Sequence, residues 1–445
     1  MMSTPIHFPE LALSGSGILS LFFTALVFLL SMSSLFGASL DMTAFQYALK
    51  ELYAGSRVAS IFFKNNALLA MIRKSTDFYG DKKVIPVQHS NPSGRSRDLA
   101  TARTNRKASK GVKFELTHVK DYGVVEFDRL VMKASSKDIG SFIAGKKNEI
   151  DGIMREVSRS MARGIYGDRW AVIGQISAGS SVASDTITLA VLSDAVNFEV
   201  GMNVDLSASA SSGSVRAGTL EVEAVDYELG TITFTGVVTA GVAAAAVLDF
   251  ISVEGDFGVG ISGLAAWFPT TAPTGGDSHF GVDRSVNPSR LAGLRHDGTG
   301  DAIEEAFQEF LNKFTVHGEG PDYIFCNPKQ WLRLSIATGA KVQYVNPSGG
   351  AAAHIGFKGI AINANYGECV VLADQNCPNA KAYGLTMETI GWEGLGEAPE
   401  IFDEDGVSML RSTDADSFEV RCGYYGNFAS ERPIANGVLT LDVAT

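Results

Sequence analysis

Residues 138–166 read DIGSFIAGKKNEIDGIMREVSRSMARGIY. Apolar side chains recur in this stretch at steps of three and four residues, the period at which residues share one face of an α-helix. They are Ile139, Phe142, Ile143, Ile150, Ile153, Met154, Val157, Met161 and Ile165, and the other face carries Lys146, Lys147, Arg155, Arg159 and Arg163. With Asp138 as its N-cap, the spacing predicts one helix of about 28 residues, roughly 40 Å long. Such a helix is longer than is usual in a globular domain.

The chain before this helix contains two strand-like runs, Val84–Val87 and Val112–Leu116, separated by a polar stretch rich in Gly, Ser and Arg. A connection of that length in a compact domain is usually functional or disordered. Between Arg95 and Lys113, seven basic residues stand against one acidic residue, Asp98. The seven are Arg95, Arg97, Arg103, Arg106, Lys107, Lys110 and Lys113. We predict a long two-stranded flap that is too polar to be buried by itself.

The chain after the long helix changes character over residues 171–253. Runs typical of strands alternate there with turns rich in Gly, Ser and Ala, and Asp226–Gly230 has the composition of a hairpin turn. This span contains one basic residue, Arg216, and nine acidic residues. We predict a small, self-contained β-barrel or β-sandwich inserted between the helix and the rest of the chain.

Residues 254–445 alternate helical and strand patterns. The stretch Gly298–Phe314 has the periodicity of an amphipathic helix, and Asp301 followed by Glu304 resembles a capping box at its start. Further expected elements are a strand at Tyr323–Cys326, a helix at Pro328–Ser335, and strands at Phe418–Phe428 and Gly437–Val443. No repeat period emerges, which excludes a solenoid.

Length and composition limit the classes of protein to consider. The chain has 445 residues, which is enough for about three compact units. Hydrophobic residues make up 45% of it, which excludes a disordered chain, and four Cys are too few for a disulfide scaffold. Residues 42–169 carry a net charge of 24 − 13 = +11, whereas residues 170–445 carry 13 − 34 = −21. Two parts of opposite net charge favour self-association of the chain. The overall net charge of −12 disfavours a dedicated nucleic-acid binder.

The N-terminal residues 1–41 contain no Lys or Arg, and the stretch Leu11–Leu40 carries no charge. This apolar segment is long enough for a membrane span or a signal peptide, but a basic region before it is missing. Three interpretations stay open. The segment is an extension outside the working protein, which then starts at Met42; or it is a removable or partner-binding peptide; or it spans a membrane.

Motifs that would carry chemistry are weak. Gly258, Gly260 and Gly263 match GxGxxG, but Pro269 follows closely and argues against the helix that a phosphate site needs. Residues 403–406 (DEDG) resemble part of a calcium loop, but Ile401 stands where a ligand is required. The seven His show no metal-binding spacing, and no GxSxG elbow occurs. We predict no enzyme activity, no catalytic residue, no cofactor and no metal.

The order of these elements, together with several local phrases, resembles the major capsid proteins of tailed bacteriophages, which have the Hong Kong 97 fold. The phrases are ELYAGSRVASIFFKNNALLAMI (51–72), ISGLAAWFP (261–269), GVDRSVNPSRLAGLR (281–295), FCNPKQWLRLS (325–335) and EVRCGYYGNFASERPIANGVL (419–439). The resemblance covers about Met42 to Val443.

The resemblance implies an α+β Hong Kong 97-like fold with an inserted small all-β domain. It implies an N-arm at 42–84, an E-loop at 85–135, a P-domain spine helix at 136–170, the insert at 171–253, and the remaining P-domain and the A-domain at 254–445. In that fold the E-loop lies over a neighbouring subunit, so the seven basic flap residues are the expected inter-subunit contact.

The implied function is that of a coat protein that assembles into the icosahedral head of a tailed phage. Its expected partners are further copies of itself in pentamers and hexamers, a portal protein, a separate scaffolding protein and optionally a decoration protein. DNA would be enclosed without sequence-specific binding, no small molecule would be a substrate, and the protein would lie in the virion after assembly in the host cytoplasm. Two alternatives stay open: the shell of an encapsulin-like nanocompartment, and a membrane-anchored β-rich surface protein.

Overall fold

The computed structural model describes residues 66–129, 139–338, 344–345, 359–402, 409–411 and 416–443. The expectations for residues 1–41, for the cap Asp138 and for residues 403–406 lie outside these ranges. The chain divides into two compact units, one made of residues 1–59, 124–150 and 404–420, and a larger one made of residues 60–123, 151–403 and 421–445.

The described helices and strands are as follows. The α-helices are α1 Ala67–Met71, α2 Leu99–Thr104, α3 Ile139–Tyr166, α4 Val238–Gly241, α5 Leu264–Trp267, α6 Pro288–Leu291, α7 Ile303–His317 and α8 Pro328–Thr338. The first twelve strands are β1 Arg73–Ser75, β2 Lys82–Ser90, β3 Lys110–Thr117, β4 Val119–Asp128, β5 Val172–Gln175, β6 Thr186–Thr188, β7 Asn203–Ser207, β8 Leu220–Asp226, β9 Thr231–Phe234, β10 Phe250–Val253, β11 Ser278–His279 and β12 Val282–Asp283. The others are β13 Leu294–Asp297, β14 Tyr323–Cys326, β15 Tyr344–Val345, β16 Gly359–Ala364, β17 Gly367–Ala373, β18 Lys381–Leu385, β19 Ile390–Gly394, β20 Glu400–Ile401, β21 Leu410–Arg411, β22 Ser417–Ser430 and β23 Gly437–Thr440.

The long helix predicted from the sequence is present as α3, with 28 residues. From Asp151 onward α3 belongs to the larger unit, where Val157, Met161 and Ile165 are buried. They lie in one apolar cluster with side chains from the two flap strands, from α5 and from β22. Fully burying each such side chain contributes about 1.5–3 kcal/mol, so this stripe anchors the core of the larger unit.

A seven-stranded sheet with the order β13-β23-β18-β14-β17-β16-β15 forms a second core of the larger unit. Helix α7 supplies its apolar face, in which Phe307, Phe310 and Phe314 are completely buried. The predicted start of this helix is wrong. Helix α7 begins at Ile303, its N-cap is Ala302, and no side chain caps it. The turn before it is held instead by Asp297, which accepts hydrogen bonds from the backbone and hydroxyl of Thr299.

Residues 172–253 form a six-stranded sheet with the order β5-β10-β7-β8-β9-β6. Its two outer strands are joined, because the amide of Ala190 donates to Gln175 and that of Ser177 donates to Thr188. The sheet therefore closes on itself as a small barrel. Its interior is a cluster of apolar side chains of its own, including Phe198 and Phe234.

The smaller unit is described in residues 124–129, 139–150, 409–411 and 416–420. In it β21 pairs antiparallel with the first part of β22, with Leu410 opposite Glu419. Arg129 donates to Asp416 at 3.1 Å, and the hydroxyl of Ser417 donates to Glu126. Within the described residues of the chain, no helix is long and apolar enough to cross a membrane.

The glycine-rich segment 258–263 packs against α3. A Cβ atom on Gly263 would lie 2.2 Å from the carbonyl oxygen of Ile165 and 2.5 Å from that of Gly164. The expectation that Pro269 argues against a helix here is wrong, since the single turn α5 fits between Gly263 and Pro269. Gly263 serves close packing of backbone on backbone, whereas a Cβ on Gly258 would meet the ring of Trp170.

We predict that Gly263→Ala destabilises the chain by about 3 kcal/mol, because the added methyl meets backbone atoms that cannot rotate away. Gly152→Ala is the matched control on α3, where a Cβ has nothing within 4 Å. It should instead stabilise the chain by about 0.5–1 kcal/mol through helix propensity. Chemical unfolding of the unmodified protein and of the two variants measures both effects. Equal stabilities of the two variants would contradict the packing argument.

The barrel should be removable without unfolding the rest of the chain. Strands β5 and β10 pair with each other, with Gly174 opposite Ile251, so the two cut points are already neighbours. We expect a variant with residues 174–250 replaced by a short Gly/Ser linker to keep its helical circular dichroism and its cooperative unfolding. Loss of both would show that the barrel is an integral part of the core.

Candidate assembly surface

The flap predicted from the sequence is built from β2 and β3. The two strands pair antiparallel from Lys82 opposite Thr117 to Ser90 opposite Lys110. Alternate side chains of the strands, among them Ile85 and Phe114, are buried against the rest of the larger unit. The ring of Phe114 lies 5.0 Å from that of Trp267. The base of the flap is thus part of the core.

Ion pairs further fix this base. The ammonium group of Lys83 lies 2.5 Å from Glu393, which is only 3% exposed, and that of Lys82 lies 2.7 Å from Glu115 on the opposite strand. At the far end of the strands, Asn287 and Arg290 donate hydrogen bonds to the carbonyl oxygen of His89. The two strands are therefore held in place within a single subunit.

Beyond the strands, residues 91–109 form the tip of the flap, which contains the short helix α2. Asp98 caps this helix by accepting hydrogen bonds at 2.8 Å from the amide and the hydroxyl of Thr101. These bonds lower the pKa of Asp98. The one carboxylate of the tip is therefore ionised and already occupied by its own helix.

All seven predicted contact residues are exposed on this flap: Arg95, Arg97, Arg103, Arg106, Lys107, Lys110 and Lys113. Within the part of the chain that the structure describes, none of them forms an ion pair with an acidic side chain. Five of them lie in the tip, and Lys110 and Lys113 lie on β3. Exposed basic side chains of this kind can bind an acidic partner without first breaking ion pairs within the described residues.

The basic face of α3 has a different role from the flap. Sequence periodicity places Arg159 and Arg163 on the face of the helix opposite the apolar stripe, and both reach the barrel. Arg159 pairs with Glu199 and donates to the carbonyl oxygen of Val196, and Arg163 donates to that of Asn197 at 3.1 Å. This contact could not be predicted from the helical period, which shows only that this face is polar.

The barrel presents an acidic surface. Glu221 and Glu223 on β8 alternate with buried Leu220 and Val222 and point outward, and Asp226 and Glu228 at the end of the strand are also exposed. None of these four carboxylates forms an ion pair among the described residues. We call Glu221, Glu223, Asp226 and Glu228 the acidic barrel face.

The thiols and the cavities offer little for covalent chemistry. All four Cys are buried, and burial raises the pKa of Cys369 to about 12 and that of Cys326 further. A cavity of about 60 Å³ lies beside α3 and is lined by Asp121, Arg163 and Asp256, among others. Burial, together with the charge of Asp121, raises the pKa of Asp256 to about 6.

Comparison with solved structures identifies the architecture. No protein-family model matches the sequence, and no curated protein sequence matches it either. The chain is similar to the capsid protein of cyanophage A-1(L), with 11% identity, a TM-score of 0.52, and coverage of 89% of this chain and 99% of the other. The chain has the fold of a phage capsid protein. The predicted resemblance is confirmed at the level of the fold, and so is the prediction of a mixed helix-and-sheet architecture.

Two further solved structures are similar to the chain with lower TM-scores. The capsid of Myoviridae phage XM1 is 9% identical, with a TM-score of 0.40 and coverage of 86% of this chain and 96% of the other. The encapsulin of Synechococcus elongatus is also 9% identical, with a TM-score of 0.43 and coverage of 92% and 98%.

Titration of Asp256 should be visible in the stability of the folded chain. Because its pKa is raised in the folded state, the folded chain binds this proton more tightly than the unfolded chain does. Lowering the pH from 7.5 to 5, a range set by that pKa of about 6, should therefore stabilise the unmodified protein relative to Asp256→Asn. Thermal unfolding of both proteins across this range measures the difference, and a difference that does not change with pH would contradict the prediction.

Proposed function

We propose that the chain is a major capsid protein that assembles with further copies of itself into the icosahedral head of a tailed phage. The observation that carries the proposal is the likeness to a phage capsid subunit over 89% of this chain and 99% of the other. A shared fold alone does not fix a function. A second, independent observation supports the proposal. The chain carries both an unpaired basic flap and the acidic barrel face, and self-assembly requires such complementary surfaces on one chain.

We assign the flap, within residues 85–135, to the E-loop of the capsid fold. Helix α3 is then the spine of the P-domain (136–170), the barrel (171–253) is an insert, and residues 254–445 supply the remaining P-domain and the A-domain. Residues 42–84 are the N-arm. On this assignment the tip of the flap lies over a neighbouring subunit.

The proposed contact is electrostatic. The basic tip of one subunit would meet acidic side chains of the next, for which the acidic barrel face is a candidate. An exposed ion pair contributes only about 0–1 kcal/mol. The same contact recurs for every subunit of a shell, however, so small free-energy contributions per contact decide whether a closed shell forms.

The remaining partners follow from the proposed function. We infer a portal protein, a separate scaffolding protein and optionally a decoration protein, with DNA enclosed without sequence-specific contacts. The protein would reside in the virion after assembly in the host cytoplasm. Electron microscopy of the purified protein tests the proposal directly: closed shells are expected, and subunits that stay monomeric under all assembly conditions would contradict it.

Reversing three charges of the flap tip, by Arg103→Glu, Arg106→Glu and Lys107→Glu, should give a folded, soluble subunit that does not form closed shells. The side chains are exposed and unpaired within the described chain, so the fold does not depend on them. High salt should weaken assembly of the unmodified protein in the same direction, because charges are screened within about 10 Å at 0.1 M. Sedimentation and electron microscopy measure assembly.

Two matched double variants distinguish the effect of where the charges lie from the effect of the net charge. Arg103→Glu with Arg106→Glu alters the tip, whereas Lys120→Glu with Lys329→Glu makes the same change of charge at exposed lysines elsewhere. We expect only the first pair to prevent closure. If the tip variants form normal empty shells and lose only DNA retention, the flap binds nucleic acid instead.

A further inference from the structure

A cluster of three metal-ligating side chains lies where strand β13 leads into helix α7. His296 belongs to β13, Asp301 to the connecting turn, and Glu309 to the second turn of α7. Their ligand atoms all lie within 4.8 Å of one another. Strand β13 is at the edge of the seven-stranded sheet, so the cluster is reached from solvent on the side of the two exposed carboxylates.

His296 is the unusual member of the cluster. The residue is only 8% exposed, and its Nε2 atom is buried without a hydrogen-bond partner among the described residues. Nε2 lies 3.3 Å from Oε2 of Glu309, but the geometry is not that of a hydrogen bond. Buried polar atoms in folded proteins are almost always satisfied, so an orphaned ring nitrogen that points at two carboxylates calls for an explanation.

A neutral imidazole ring binds a metal ion through one of its nitrogens. The ammonium of Lys313 is a nearby group that would repel such an ion. The charge of Lys313 is directed elsewhere, since its ammonium donates to the carbonyl oxygen of Arg295 at 3.1 Å.

The distances fit one coordination sphere. Zinc binds His nitrogen and carboxylate oxygen at about 2.0–2.2 Å in a tetrahedron, so two of its ligands lie roughly 3.4 Å apart. Nε2 of His296 and Oε2 of Glu309 already have this separation, at 3.3 Å. Asp301, which is exposed and lies within 4.8 Å of both, would have to move its carboxylate closer to complete the set. A ring nitrogen in the set favours a transition metal over Mg²⁺ or Ca²⁺, which prefer oxygen ligands alone.

We propose that His296, Asp301 and Glu309 bind one divalent transition metal ion of the Zn²⁺ class. The ion would satisfy the orphaned nitrogen and tie the 298–302 turn to both the sheet edge and the helix. Three protein ligands leave one position for water or for a group of a neighbouring copy. The site is independent of the proposed function, because it lies within one chain.

Calorimetric titration of the full-length, metal-free subunit with ZnCl₂ tests the site. One ion should bind per chain and should raise the thermal unfolding temperature. Asp301→Asn and Glu309→Gln should each weaken binding at least tenfold, as expected for the loss of a charged ligand. Both positions are exposed, so the variants should fold normally. Glu305→Gln, at an exposed position on the same helix, is the matched control and should bind as the unmodified protein does.

A second probe keeps the result interpretable if His296→Asn fails to fold. Co²⁺ bound to the unmodified subunit should show visible absorption that disappears in Glu309→Gln and persists in Glu305→Gln. The proposal is overturned if Zn²⁺ does not bind, or if Asp301→Asn and Glu309→Gln bind it as tightly as the unmodified protein.

Discussion

The apolar stripe of α3 beyond Asp151 is the contact on which the larger unit depends. Val157, Met161 and Ile165 lie in one cluster with the flap base, α5 and β22, which are far apart in sequence. The loop before α5 approaches the same helix so closely that only glycine fits at position 263. Moving the helix would therefore disturb the root of the flap, the glycine-rich loop and strand β22 together. Under the proposed function the flap reaches toward another subunit, and a rigid root would hold it in position.

Elements defined by a local pattern could be predicted from the sequence. The 28 residues of α3 follow from a strict helical period, and β14 at Tyr323–Cys326 agrees with its expected range. The start of α7 could not be predicted in this way. Asp301 and Glu304 fit the pattern of a capping box, but Asp297 organises the turn before the helix. A capping motif reports a local preference, and here the preference competes with hydrogen bonds from the turn itself.

The same distinction applies to the contact surfaces: some could be predicted from the sequence and others could not. The basic flap was visible in the sequence because its seven charges are close together in the chain. The contact of Arg159 and Arg163 with the barrel was not, since it joins residues more than 30 positions apart on a face that looks solvated. The cluster of His296, Asp301 and Glu309 was missed for a related reason. Its spacing crosses a strand, a turn and a helix, and no single periodicity brings those three positions together.

Under the proposed function, the arrangement of charge also bears on how one chain would form both pentamers and hexamers. The basic tip and the acidic barrel face are different surfaces, so a contact between them is heterologous and generates a ring when the rotation closes. Rings of five and of six require slightly different rotations at the same contact. A tightly packed apolar contact would favour one rotation, because dense packing tolerates little displacement. Ion pairs between long, exposed side chains lose little energy over such a displacement, since each is weak and its side chains can reorient. Under the proposed function, the subunit must occupy both five-membered and six-membered rings. An interface of long charged side chains, carried on a flap whose base is rigid, suits both positions.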